Sequence, residues 1–252
     1  MKILNSVPAM QTFRNALAGG AVGLVPTMGA LHAGHVSLVR RSLAENASTV
    51  VSIFVNPTQF NQAADLENYP HRHNEDLRML EECGVDAVFM PDFLNLYPDE
   101  FHYRVSETVL SQRLCGAYRP GHFDGVLTVV MKLFNIVRPD NAYFGEKDYQ
   151  QLLLVRGMAQ AFFIPVNIVS CPVVRETDGL AMSSRNFRLD ALQRRKAPAL
   201  FRILKIAGDA QSARHELERE GFAVDYVEDF YGRRLAAASL GQVRLIDNVL
   251  IE

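Results

Sequence analysis

Two histidines, His32 and His35, are the residues whose type and spacing point most directly to chemistry. They lie where a short apolar run, residues 21–25, gives way to a helical pattern of apolar residues, residues 35–46. Glycines in this turn lack side chains, so backbone N–H groups can approach an anion there, and the positive end of the helix dipole points the same way. The pattern therefore predicts a loop that holds the phosphates of a nucleotide.

A histidine pair is a weak motif by itself, because a zinc site or two surface histidines would have the same spacing. Zinc is disfavoured because no third ligand stands at metal spacing: the cysteines, Cys83, Cys115 and Cys171, are scattered singly. The interpretation as a phosphate-binding loop therefore depends on other segments of the chain.

Two later segments carry residue types that suit a nucleotide. Residues 144–151 follow a strand-like run and include a glycine, a lysine and an aspartate that suit phosphate and ribose recognition. Residues 178–186 combine a turn signal with two serines and an arginine, which can clamp a triphosphate. Each has an alternative explanation: an ordinary turn with solvated charges for the first, and a helix N-cap with a surface arginine for the second.

Taken together and in this order, the segments resemble the pantothenate synthetases, a family of the nucleotidyltransferase superfamily that shares its nucleotide-binding core with class I aminoacyl-tRNA synthetases. The resemblance implies ATP-dependent condensation of (R)-pantoate with β-alanine through a pantoyl adenylate, with release of AMP and pyrophosphate. The matching segments are PTMGALHAGH at residues 26–35, SIFVNPTQF at 52–60, RPGHF at 119–123, FGEKDYQQ at 144–151, MSSRN at 182–186 and RLIDN at 244–248.

The resemblance also implies which residues carry the reaction. Adenylate formation needs no general base, because a carboxylate with a pKa near about 4 is already ionised at neutral pH. It needs positioning and charge stabilisation, for which the family implies His32, His35, Lys147 and Arg185 as catalytic residues. The family assigns His35 as proton donor, and whether it moves a proton or only steadies charge stays open, since sequence does not fix its protonation.

The expected ligand contacts follow from the same match, residue by residue. Gln59 and Gln151 are expected at pantoate and β-alanine, because an amide satisfies a carboxylate without neutralising it. Pro26 and Met28 are expected beside them, with core packing as the alternative explanation. ATP is expected to contact Met28, Gly29, Ala30, Leu31, His32, Ala33, Gly34, His35, Gly145, Glu146, Lys147, Asp148, Val174, Met182, Ser183, Ser184 and Arg185.

Mg²⁺ is implied as the companion of ATP, bridging phosphate oxygens, and its protein ligands are unknown. Glu75 and Asp76 stand at an acidic position that some relatives use near a metal. A position on a helix surface explains the two residues equally well.

The order of elements predicts the fold. Strand-like runs alternate with helical patterns up to about residue 177, which predicts an α/β protein with a Rossmann-like, doubly wound parallel sheet. The rest predicts a smaller, abbreviated α+β domain. We predict an ATP- and pantoate-binding domain over residues 1–177 and a small C-terminal lid domain over residues 178–252. The predicted strands are residues 21–25, 49–55, 86–90, 142–144, 223–230 and 244–251, and the predicted helices include residues 65–83, 125–137, 189–207 and 212–220.

The composition limits the kinds of partner that the protein is expected to bind. The 252 residues are 48% hydrophobic, enough for a full core, and 26 Lys and Arg oppose 28 Asp and Glu without a basic run. A nucleic-acid partner and a membrane span are therefore not expected. Three unpatterned cysteines suggest the cytoplasm, and the resemblance implies a homodimer.

Two other functions would require different residues at these positions. A nucleotidyltransferase acting on a phosphate would carry basic residues where Gln59 and Gln151 stand. A catalytically silent nucleotide-binding protein would have lost phosphate-contacting residues, and these are all present: His32, His35, Lys147 and Arg185.

Overall fold

The computed structural model describes residues 1–17 and 19–251. It divides into two compact units. The first comprises Met1–Gly145 and Gln150–Cys171, and the second comprises Glu146–Tyr149 and Pro172–Glu252. The short segment Glu146–Tyr149 therefore belongs with the C-terminal part of the chain, although the sequence on both sides of it belongs to the first unit.

The first unit is built on a sheet of parallel strands. The chain moves outward from the second strand to the third and fourth, and then returns to the other side of the second strand for the fifth and sixth. Because crossovers are right-handed, this reversal places the helices before and after it on opposite faces, which confirms the predicted Rossmann-like sheet. The order is β1-β4-β3-β2-β5-β6, with β1 at Lys2–Leu4, β2 at Val22–Thr27, β3 at Ser48–Ile53, β4 at Ala87–Phe89, β5 at Asn141–Gly145 and β6 at Asn167–Cys171.

The helices of the first unit depart from prediction at one place. The sequence predicts one helix over residues 65–83, whereas the structure has two, α3 (Ala63–Glu67) and α4 (His73–Cys83). Pro70 stands between them, and it lacks an N–H and disfavours helical backbone at the preceding residue. The other helices are α1 (Val7–Ala16), α2 (Ala33–Glu45), α5 (Phe93–Leu96), α6 (Cys115–Tyr118), α7 (His122–Val137) and α8 (Tyr149–Ala161), with 3-10 helices at Pro57–Gln59 and Leu110–Gln112. Two more 3-10 helices, Glu146–Asp148 and Ser184–Arg188, belong to the second unit.

The second unit packs three helices with an antiparallel sheet of three strands. The predicted helix over residues 189–207 is interrupted, because Pro198 stands at the N-cap of the second of two helices. The sequence predicts two strands here and misses the middle one, whose alanine-rich residues have low strand propensity. The elements are α9 (Ala191–Lys196), α10 (Ala199–Ile206), α11 (Ala210–Arg219), β7 (Ala223–Phe230), β8 (Arg233–Leu240) and β9 (Val243–Leu250).

Each unit has its own apolar core. In the first, α2 and α4 cover the central strands, and α2 approaches β2 so closely that a Cβ at Gly23 would collide with the Ser42 hydroxyl. In the second, α10 and α11 cover the three strands. No helix among the described residues has the length and apolarity needed to cross a membrane.

Candidate active site

The sheet opens at the carboxyl end of β2. This strand pairs with β3 as far as Thr27, but among the described residues its pairing with β5 ends at Leu24. Pro26, which has no N–H to donate, lies in the stretch beyond. Open α/β sheets bind ligands at such a switch in strand order, beyond the carboxyl ends of the strands.

The loop that leaves β2 is held from beneath by hydrogen bonds. The Thr27 hydroxyl donates to the carbonyl of Ser52 over 2.7 Å and accepts the N–H of Gly29 over 3.3 Å. The Tyr69 hydroxyl donates to the carbonyl of Gly29 over 2.9 Å. Gly29 has φ +68°, a left-handed conformation that favours glycine. The path of this loop is therefore fixed on both sides of Gly29.

Asp76 supports the same loop from α4. Its side chain is 1% exposed, and its Oδ1 accepts the N–H of Leu31 over 2.7 Å. Its Oδ2 has no hydrogen-bond partner among the described residues and lies 2.7 Å from where a Cβ at Gly29 would stand. Burial raises the pKa of this carboxyl. A helix-surface position for Asp76 is therefore wrong: the residue is interior and holds the loop that precedes α2.

His32 and His35 lie together at the start of α2. Their ring centroids are 4.0 Å apart, with the planes inclined by 35°. His32 is the N-cap of α2, and its Nδ1 accepts the N–H of Gly34 over 3.1 Å. Because Nδ1 accepts, a neutral His32 ring carries its proton on Nε2. The N–H groups of Gly29 and Gly34 already have acceptors inside the loop, and the two imidazoles add side-chain groups that can donate to phosphate.

Gln59 lies next to Met28, which leads the same loop. Its Nε2 is 3.2 Å from the Met28 sulfur, and the side-chain amide of Asn56 donates to its Oε1 over 3.1 Å. Asn56 is 1% exposed and also accepts from the Tyr97 hydroxyl over 3.2 Å. Burial raises the pKa of Tyr97 to about 12, so this phenol stays protonated. The structure therefore brings two of the predicted substrate residues together.

The segment at residues 119–123 holds the backbone of Gln59. His122 Nδ1 and the Gln59 carbonyl are 2.8 Å apart, and Arg119 Nη2 donates to the same carbonyl over 3.2 Å. A carbonyl only accepts, so His122 donates from Nδ1, and its Nε2 then accepts from Arg119 Nη1 over 3.1 Å. This pattern assigns a neutral ring with its proton on Nδ1.

Two neighbouring glutamines have different environments. Gln150 is buried, and its amide accepts the N–H of Cys115 over 3.0 Å and donates to the carbonyls of Leu110 and Arg113, each over 2.8 Å. Gln151, the predicted substrate residue, is only partly buried. Sequence reasoning missed the structural role of Gln150, because nothing in the sequence separates the two amides.

The predicted residues of the second unit lie on two segments. The N–H of Met182 donates to the carbonyl of Val174 over 3.0 Å, which brings these two predicted ATP contacts together in a hairpin. The hydroxyl of Ser183 accepts the N–H of Arg185 over 3.3 Å as the N-cap of a 3-10 helix, so the capping explanation holds for Ser183. Ser184 is 6% exposed.

Lys147 lies on the other segment of the second unit, the 3-10 helix Glu146–Asp148. Its Nζ lies 3.6 Å from Oδ2 of Asp148. The first unit carries the remaining predicted site residues, from Pro26 to His35 with Gln59, Gly145 and Gln151.

The described residues contain no group of three or more His, Cys, Asp or Glu side chains that could bind a metal ion. Asp76 is committed to the loop through Leu31.

The strand order, the opening beside β2 and the histidine-capped helix that follows it define a Rossmann-like nucleotide-binding protein. The family model described as pantoate-beta-alanine ligase matches residues 2–250. The chain belongs to the pantoate-beta-alanine ligase family.

Curated relatives named pantothenate synthetase match along the whole chain. The protein of Bdellovibrio bacteriovorus is 54% identical and covers 99% of both chains. That of Legionella pneumophila strain Corby is 49% identical and covers 100% of both. The match includes the C-terminal part of the chain, so these relatives have nearly the same length as this chain.

Solved structures of the same kind have the same fold. A pantoate-beta-alanine ligase of Francisella tularensis, complexed with beta-gamma ATP and beta-alanine, is 39% identical, with a TM-score of 0.95 and coverage of 99% of this chain and 97% of that one. A pantothenate synthetase of Thermus thermophilus is 42% identical, with a TM-score of 0.92 and coverage of 99% of both chains.

Proposed function

We propose that the chain condenses pantoate with β-alanine at the expense of ATP, through a pantoyl adenylate, and releases AMP and pyrophosphate. Family membership supports the reaction, and the Francisella relative was solved with beta-gamma ATP and beta-alanine. The observation that carries the proposal for these residues is the placement of Gln59. Its neutral amide lies beside Met28 of the loop that leads into the histidine pair, so it can orient a carboxylate without quenching it.

In the first half-reaction, the pantoate carboxylate attacks the α-phosphorus of ATP and pyrophosphate leaves. Gln59 and Gln151 bind pantoate, with Pro26 and Met28 beside them. His32 donates from Nε2 to a phosphate oxygen, because its Nδ1 already accepts from Gly34. The reaction needs positioning and charge stabilisation from these groups rather than a general base.

The residues of the second unit act on the charge of the nucleotide in this proposal. Lys147 and Arg185 stabilise negative charge on the transferring and departing phosphates, and Ser183 and Ser184 contribute hydroxyl donors. Val174 and Met182, adjacent in the hairpin, suit contact with the adenine.

In the second half-reaction, the amine of β-alanine attacks the acyl carbon of the adenylate, loses a proton and expels AMP. Gln59 also contacts β-alanine. His35, beside His32, is the proposed proton donor to the pyrophosphate that departs in the first half-reaction.

Mg²⁺ bound to the phosphates of ATP would supply additional charge stabilisation there. A homodimer, action in the cytoplasm, and the division into an ATP- and pantoate-binding domain and a C-terminal lid domain stay predictions. Size measurement in solution tests the first of these.

The test is pyrophosphate release by purified protein with ATP and Mg²⁺. Release should require pantoate, and AMP together with pantothenate should appear only when β-alanine is added. Pyrophosphate release that does not depend on pantoate would contradict the assignment of pantoate as substrate. ATP binding without any release would favour a catalytically silent nucleotide-binding protein.

A further inference from the structure

The segment at residues 244–248 belongs to the sequence resemblance, yet the proposed reaction uses none of its residues. Asn248 lies near the end of β9 and is 2% exposed. Its Nδ2 donates to the carbonyl of Glu146 over 2.8 Å and to that of Lys147 over 3.1 Å. All three residues belong to the second unit. One buried amide therefore holds two consecutive carbonyls of the segment that carries Lys147.

Arg233 of β8 fixes which way the Asn248 amide faces. Its Nη1 donates to Oδ1 of Asn248 over 2.8 Å. A guanidinium only donates and a carbonyl only accepts, so Oδ1 must face Arg233 and Nδ2 must face the two carbonyls. Arg233 also pairs with Oε2 of Glu146 over 2.7 Å and lies 4.6 Å from the centroid of the Tyr149 ring. The segment Glu146–Tyr149 is thus held through both its backbone and its side chains.

The same strand is anchored to the hairpin that carries Val174. Arg175 binds both carboxylate oxygens of Asp247, over 2.6 and 3.0 Å, and donates to the Asn248 carbonyl over 3.2 Å. A bidentate pair of this kind fixes orientation as well as distance. β9 is therefore tied both to the Lys147 segment and to the residue that follows Val174.

We propose that Asn248 is a positioning residue for ATP, which acts by setting the backbone of Glu146 and Lys147 and so the place of the Lys147 ammonium. This inference rests on the proposed function, in which Lys147 binds phosphate. Asn248 itself does not touch the substrate. Without its two donors the segment loses the geometry that aims Lys147, and a misplacement of about 1 Å is enough to reduce catalysis about 100-fold.

The test combines Asn248→Ala, Lys147→Ala and the double variant. ATP binding is measured by calorimetry, and steady-state kinetics are measured for each substrate. Asn248→Ala should lower kcat/KM for ATP about 10- to 100-fold while the KM values for pantoate and β-alanine stay unchanged. Because Asn248 acts through Lys147, the double variant should bind ATP no more weakly than Lys147→Ala alone. Additive losses, or an unchanged kcat/KM for ATP, would overturn the proposal.

Two further variants separate positioning from folding. Asn248→Asp keeps the shape and can still accept from Arg233, but it turns an oxygen toward the two carbonyls, so it should reproduce the loss at ATP. If an Asn248 variant fails to fold, Arg233→Gln takes its place in the test. This substitution frees the Asn248 amide to turn, so it should also lower kcat/KM for ATP, but less than Asn248→Asp. The matched control is Arg244→Gln near the opposite end of the same strand, where the guanidinium pairs with Asp225 over 2.7 Å; it should leave kcat/KM for ATP unchanged.

The outcomes for the two proposals are distinct. Wild-type protein that binds ATP, with weaker binding in Asn248→Ala, but that releases no pyrophosphate with pantoate, would support Asn248 as a positioning residue and reject the reaction. If the wild-type protein carries out the reaction and Asn248→Asp has no effect on it, the reaction is supported and the positioning role of Asn248 is rejected. Wild-type protein that bound no ATP would overturn both.

Discussion

Replacing Gly29 by alanine should destabilise the loop before α2, and the structure identifies the residue responsible. A Cβ at Gly29 would lie 2.7 Å from Oδ2 of Asp76 and 3.2 Å from Cγ2 of Ile53. The first distance is too short for two such atoms, so the loop or the carboxyl must shift. Asp76 cannot move far without losing its bond to the N–H of Leu31.

The size of the effect can be worked out from these contacts. Alanine at φ +68° costs roughly 1–2 kcal/mol of backbone strain. Loss of the acceptor for the buried Leu31 N–H costs roughly 1–3 kcal/mol more. Gly29→Ala should therefore cost about 2–5 kcal/mol, and Asp76→Ala alone about 1–3 kcal/mol. In the double variant the collision is absent. Its loss of unfolding free energy should therefore be about 1–3 kcal/mol smaller than the sum of the losses in the two single variants.

The assay is urea unfolding of the wild type, the two single variants and the double variant, with pyrophosphate release measured on each. Gly157→Ala is the matched control, because Gly157 lies within α8 with open space around its Cβ position, and alanine there should stabilise by up to about 1 kcal/mol. If the two losses at Gly29 and Asp76 simply add, to within about 0.5 kcal/mol, the two residues do not share the contact described and the reasoning fails.

Three further predictions concern single side chains. His35→Ala should lower pyrophosphate release at least about 100-fold with unchanged unfolding; near-normal turnover would remove His35 from the chemistry. Gln150→Ala should cost roughly 3 kcal/mol in urea unfolding, whereas Gln151→Ala should raise the KM for pantoate with unchanged stability; equal stabilities would contradict this. Asp76→Asn should become increasingly stable relative to wild type as pH rises above about 4, because burial raises the pKa of Asp76 and ionisation then destabilises the native state; a constant difference would refute that sign.

The alternating pattern predicted the parallel sheet because buried strands read as short apolar runs between helical patterns. β2 and β3 were found in this way. β1 has three residues, too few for a periodic signal, and β8 was missed because its run of three alanines has low strand propensity. The turns on either side of β8 did indicate hairpins in the sequence. Gly232 and Gly241, both with positive φ, each lie in a two-residue hairpin loop.

The sequence also named residues with the right chemistry but did not show what holds them. His32 and Gln59 stand in motifs, so residue type and order were enough to propose them. Asp76 acts on Leu31 from 45 positions away along the chain, and its burial depends on how α4 packs, which no local pattern records. A charged residue in the first turn of a helix reads as surface by default.

Motif residues to which the proposed reaction gives no ligand contact can still be explained by the carbonyls they hold. His122 donates to the carbonyl of Gln59, and Asn248 donates to those of Glu146 and Lys147. In each case a donor-only arginine fixes the orientation of the second residue: Arg119 requires His122 Nε2 to accept, and Arg233 requires Asn248 Oδ1 to accept. Asn248→Asp keeps the size of the side chain but replaces its donor by an acceptor, so it should disturb the Lys147 segment at least as much as Asn248→Ala, because it places acceptors face to face in a buried site.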